Sequence, residues 1–132
     1  MSVVKKYNDT PTKFDPPAPV LEIFLSSPGV AASPPTPVEA LIDSGADITV
    51  IPRKFVEQFQ LKLVDQLPAV GYEGVQSEKL ADVYSVKVFI RDVGDYIVRV
   101  ISSNDDYALI GRDIINSWDL FLRGKTGIFE VS

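Results

Sequence analysis

The 132-residue chain contains no cysteine and no histidine, and these two gaps exclude more than any residue that is present. Without cysteine there is no disulfide, no thiolate nucleophile and no thiolate-ligated zinc, and the redox state of the compartment is left open. Without histidine, Ser-His-Asp and Cys-His machinery, histidine-based zinc motifs and imidazole acid–base chemistry all fall away. A hydrolase built from this chain must move protons with carboxylates. A basic cluster is missing too: 13 Lys and Arg stand against 18 Asp and Glu, for a formal net charge of -5, so nucleic acid is not an expected partner. No apolar run approaches the roughly 18 residues of a membrane span. The N-terminal MSVVKKYNDTPTKFD has no apolar leader core either, so a soluble, cytoplasmic protein with no membrane partner is expected.

What is present suits one globular domain with a modest core: 45% of residues are hydrophobic and 23% charged. Residues 1–19 hold four prolines (Pro11, Pro16, Pro17, Pro19) and read as an extended N-terminal arm, leaving 20–132 as the domain. VLEIFLSS (20–27) and VEALI (38–42) read as a strand pair joined by the Pro/Gly/Ser-rich PGVAASPPTP, and ITVIP (48–52) as a short β-branched strand. PRKFVEQFQL (52–61) spaces Phe55, Val56 and Phe59 as a helix does. VYSVKVFI (83–90) and YIVRVIS (96–102) form a meander through RDVGD, while the Gly-punctuated 67–82 stays open between strand and loop. After the short apolar strand ending at Gly111, Ile114, Ile115, Trp118 and Leu122 fit one helix face, and GKTG then turns the chain into IFEV. The expected class is all-β with one or two short helices.

ALIDSGADITVIP (40–52) sets a carboxylate, Asp43, directly behind an apolar strand. An ionised carboxylate leaving water costs several kcal/mol unless it is paired or hydrogen-bonded, so Asp43 is either a turn residue or part of a site. Asp-Ser-Gly alone is ordinary turn chemistry. Followed by a β-branched strand and, much later, by ALIGRDII, it resembles the retropepsin-like aspartic proteases, whose pattern is apolar-apolar-Asp-Thr/Ser-Gly-Ala-Asp and then apolar-apolar-Gly-Arg-Asp/Asn before a short helix. The likeness runs from about Val20 to the C-terminus.

That resemblance implies a closed acid-protease β-barrel with one lobe per chain, active as a homodimer because each chain supplies one catalytic Asp43. It implies an active-site loop of Ser44, Gly45, Ala46 and Asp47, with the Ser44 hydroxyl linking the two loops and Gly45 admitting the substrate backbone. Leu109, Ile110 and Gly111 would support the loop from beneath, and Arg112 would form a salt bridge to Asp47. A flap over an extended peptide or protein substrate would carry Gly71, Tyr72, Glu73 and Gly74. IFEV and VVKKY would supply strands to a dimer sheet. No cofactor and no metal are implied. Two rivals stand beside this reading: a non-catalytic peptide-binding or scaffolding module with the same fold, and an unrelated small barrel that carries both motifs by coincidence.

Overall fold

A computed structural model of the chain describes residues 2–8, 14–29, 34–70 and 76–132. In chain order the elements are β1 (Val3–Lys6), β2 (Val20–Ser26), β3 (Thr36–Ile42), β4 (Thr49–Pro52), α1 (Arg53–Gln58), β5 (Leu63–Val70), β6 (Gln76–Ile90), β7 (Gly94–Ser103), β8 (Ala108–Ile110), α2 (Arg112–Ile115), β9 (Leu120–Arg123) and β10 (Ile128–Val131). Seven strands run in the order β2, β3, β8, β4, β7, β6, β5, and a further β2–β6 pairing closes the first six into a barrel. The all-β expectation with two short helices holds.

Period-two alternation explains the closure. Leu21, Ile23 and Leu25 of β2, and Val86, Val88 and Ile90 of β6, turn inward and are buried, while Glu22 and Phe89 between them face outward and are exposed. Ile51, Val100 and Ile110 fill the same core from the other side. Each fully buried aliphatic of this kind contributes roughly 1.5–3 kcal/mol. Helix α1 adds one apolar stripe, with the Phe55 and Phe59 rings stacked at 6.1 Å one turn apart, and it ends where Gln60 takes a left-handed φ of 48.

Two segments differ from the sequence reading. The helix face expected over Ile114, Ile115, Trp118 and Leu122 is only one turn long, because Leu120–Arg123 pairs with Ile128–Val131 instead. Leu-Phe-Leu fits a helix or a strand equally by pattern, and a full backbone ladder beyond the Gly127 turn (φ 73) outweighs one more helical turn through Asn116 and Ser117. Within the expected N-terminal arm, Val3–Lys6 pairs antiparallel with β10 of the same chain, making a three-stranded sheet β1, β10, β9. Phe14, the aromatic of the Pro-rich stretch, is buried edge-on against Tyr107 at 5.0 Å.

Trp118 leaves the helix and lies against Tyr96, whose hydroxyl accepts the indole N–H at 2.8 Å. Tyr96→Phe keeps the ring contact and strands that donor, so it should lower unfolding stability by about 1 kcal/mol. A urea midpoint that falls without a change in slope is the expected readout.

Candidate active site

The site is built where β8 passes between the two strands that flank the Asp43 loop. On one side β8 runs parallel to β3, with Leu41 opposite Leu109 and Ile42 opposite Ile110; on the other, Val50 of β4 pairs antiparallel with the same Leu109. A strand wedged between both ends of one loop holds that loop from each side. Asp43 stands at the exit of β3, half-buried, and its backbone N–H donates to the Ile110 carbonyl at 2.9 Å. Its carboxylate Oδ1 accepts the Gly45 N–H at 2.9 Å, and the Ala46 N–H closes the turn on the Asp43 carbonyl at 3.1 Å. These bonds give the carboxylate a defined direction while leaving it partly open to solvent.

The opposing segment 110–113 meets the loop residue by residue. Ile110 supplies the carbonyl just described. Gly111 lies so close that a Cβ there would stand 2.7 Å from the Ile48 carbonyl carbon and 3.0 Å from the Ala46 oxygen. Arg112 donates its backbone N–H to the Ala46 carbonyl at 2.9 Å and its guanidinium Nη1 to the Ser44 carbonyl at 2.6 Å, and it forms an ion pair with Asp47 through Nη2. That pair stands in water, with the Asp47 side chain 85% exposed, so Asp47→Ala should change stability by less than about 1 kcal/mol. Denaturation at low and high salt measures it, and the small difference should shrink further as salt rises.

Leu109, Ile110 and Gly111 therefore lie beneath the loop, and Ser44, Gly45, Ala46 and Asp47 compose it. Gly71, Tyr72, Glu73 and Gly74 fall outside the described residues; the strands on either side of them are β5 and β6. Sequence reasoning missed two residues. Thr49, fully buried, donates its hydroxyl to Asp113 Oδ1 at 2.7 Å and its backbone N–H to Asp113 Oδ2 at 3.1 Å, and the same hydroxyl accepts the Gly111 N–H at 3.2 Å. The available signal was a hydroxyl at an inward position of the apolar ITVIP, together with the Asp that follows Gly-Arg.

Chemically, this is one oriented carboxylate per chain on a rigid loop. It can hold or release a proton but cannot act as acid and base in the same step.

Solved structures place the fold. A retropepsin-like aspartic protease from Rickettsia conorii superposes with a TM-score of 0.66, covering 99% of this chain and 89% of that one at 11% identity. The solution structure of simian foamy virus (mac) protease gives 0.56 at 26% identity, over 74% of this chain and 92% of that one. EIAV protease in complex with an inhibitor gives 0.51 at 18% identity, over 76% and 86%. Among the curated proteins, none matches this sequence. The profile described as gag-polyprotein putative aspartyl protease matches residues 35–117, a span that holds both Asp43 and Arg112, and the chain belongs to that family of retropepsin-like aspartic proteases.

Proposed function

We propose that the chain is an aspartic endopeptidase that works as a homodimer, with Asp43 of each protomer forming the catalytic pair. One observation carries this reading: Asp43 is a half-buried carboxylate at the end of a barrel strand, aimed by the Gly45 N–H on a loop that the 110–113 segment grips along its length. Hydrolysis of a peptide bond by water needs a base to take the water's proton and an acid to protonate the carbonyl oxygen and then the leaving nitrogen. Two carboxylates within hydrogen-bond reach share one proton, since like charges that close do not both ionise, and so they provide both roles without histidine. A twofold axis beside the Asp43 loop brings the second carboxylate from an identical chain.

In this reading Ser44 links the two loops, and Gly45 leaves room for the backbone of an extended substrate. The β5–β6 hairpin is the flap. Residues 62–68 are exposed throughout, with Leu63 and Leu67 open to solvent and Leu80 on the paired strand exposed as well, which supports a hairpin that stands clear of the barrel until it closes. Closure would exclude water and add main-chain hydrogen bonds to an extended peptide.

The test joins sedimentation velocity over a concentration series with mass spectrometry of a diverse peptide mixture, from about pH 3 to about pH 7. Cleavage whose specific rate rises with the dimer fraction is expected. A strict monomer sinks the proposal, and a folded dimer that cuts nothing leaves the non-catalytic peptide-binding groove in its place.

A further inference from the structure

Beside the backbone bonds and the Arg112–Ser44 contact, two side-chain fasteners tie the Asp43 loop to the segment after β8, and they differ in what they can hold. The Arg112–Asp47 pair stands in water, where such pairs contribute little. The other fastener closes on itself around a fully buried Thr49, with the Asp113 end of it exposed. Thr49 is 0% exposed, and its hydroxyl donates to Asp113 Oδ1 at 2.7 Å while accepting the Gly111 N–H at 3.2 Å. The Thr49 N–H reaches Asp113 Oδ2 at 3.1 Å, and Asp113 Oδ1 also takes the N–H of Ile114 at 3.0 Å. Each donor in this circuit has its acceptor, and removing the hydroxyl would leave a buried Gly111 amide without one.

We infer that Thr49 and Asp113 are a positioning pair for Asp43, acting through Gly111 rather than by touching substrate; the inference rests on the aspartic endopeptidase reading. The 43–48 loop starts at Asp43, tied to Ile110, and ends at Thr49, tied to Gly111 and Asp113. Gly111 is the transmitter. Its approach to Ile48 and Ala46 has no room for a single carbon, so a shift of its backbone has no slack to disappear into and passes to the loop. Displacing a reacting group by a fraction of an ångström is felt in the rate, because the chemistry needs a near-attack geometry.

The experiment compares Thr49→Val, which keeps the shape and drops the hydroxyl, with Thr49→Ser, which keeps the hydroxyl. Wild type and Asp43→Asn run alongside, so that absence of any Asp43-dependent cleavage is recognised as failure of the protease reading itself. Native-state hydrogen exchange of the Gly45, Ala46 and Arg112 amides then still reports on the fastening. Thr49→Val should lower kcat about tenfold with KM and dimer fraction within about threefold of wild type, and should speed exchange of those amides. Thr49→Ser should stay close to wild type on every readout. A folded Thr49→Val with unchanged kcat and exchange overturns the inference. So does a Thr49→Ser as impaired as Thr49→Val, which would leave Thr49 a packing role alone. Should Thr49→Val fail to fold, the exposed Asp113→Ala takes over: it removes both oxygens that accept from Thr49, and unchanged kcat and exchange there likewise overturn it.

Discussion

Asp43→Asn should abolish peptide cleavage, lowering kcat by about 10³-fold or more, and leave the fold as stable as before. The substitution is isosteric, and the amide oxygen of Asn still accepts the Gly45 N–H that Oδ1 accepts now. What it removes is the ability to take and return a proton. Because the proposed dyad draws one carboxylate from each chain, the variant should also poison the wild type. Random pairing of equal amounts leaves roughly a quarter of dimers with both carboxylates, whereas independent monomers would keep about half the activity. Mass-spectrometric cleavage rates across a mixing series separate the two curves. A variant that still cuts would remove Asp43 from the chemistry, and a linear mixing curve would remove the dimer.

Gly111→Ala should be the most disruptive glycine-to-alanine change among the described residues. Gly111 has an ordinary extended backbone (φ -88, ψ -179), so glycine is not needed for its dihedral freedom. It is needed for space. An added Cβ would stand 2.7 Å from the Ile48 carbonyl carbon, 2.8 Å from its oxygen and 3.0 Å from the Ala46 oxygen. All three are backbone atoms, and no rotamer change can move them aside. Overpacking of this kind costs typically 1–3 kcal/mol, and a rigid backbone contact puts it toward the upper end. The expected result is a fall in Tm of roughly 10 °C together with loss of cleavage, since the atoms forced aside belong to the Asp43 loop. Gly45 is a different case: a Cβ there would meet the Asp43 Oδ1 at 3.2 Å, a side-chain atom that can move. Thermal unfolding of Gly111→Ala within about 2 °C of wild type would show that the loop can yield where it looks fixed.

How much of this was legible in advance varies residue by residue. Asp-Ser-Gly behind an apolar strand and Gly-Arg-Asp after another are local patterns, and both were found. Their juxtaposition is not readable from either one alone; it is expected only through the family resemblance, which sets Leu109, Ile110 and Gly111 beneath the loop and Arg112 on Asp47. The role of Thr49 is not readable either, since a threonine in a β-branched run is unremarkable until its hydroxyl faces a carboxylate far along the chain, at 2.7 Å. Leu120–Arg123 reads as the continuation of a helix because three large apolar residues satisfy both periods, and the arbiter is the β10 ladder beside it. Val3–Lys6 reads as part of an extended arm or as a strand lent to a dimer sheet, because Val-Val-Lys-Lys carries little burial signal of its own, and it pairs with β10 of the same chain.

By itself the sequence determined what the chemistry can be. With no histidine and no cysteine, imidazole and thiolate chemistry fall away and carboxylates become the leading candidates for proton transfer, and alternating apolar strands around one Asp-Ser-Gly allow a small barrel with one such loop per chain. The tertiary structure alone decided how that acid is held. Passing β8 between β3 and β4 brings residues 110–113 against residues 43–49, and the forces that fix the loop there are short-ranged: hydrogen bonds near 3 Å and a backbone contact too close for a methyl group. Interactions of that reach depend on which distant segments the fold makes neighbours, and no local pattern of residues encodes it.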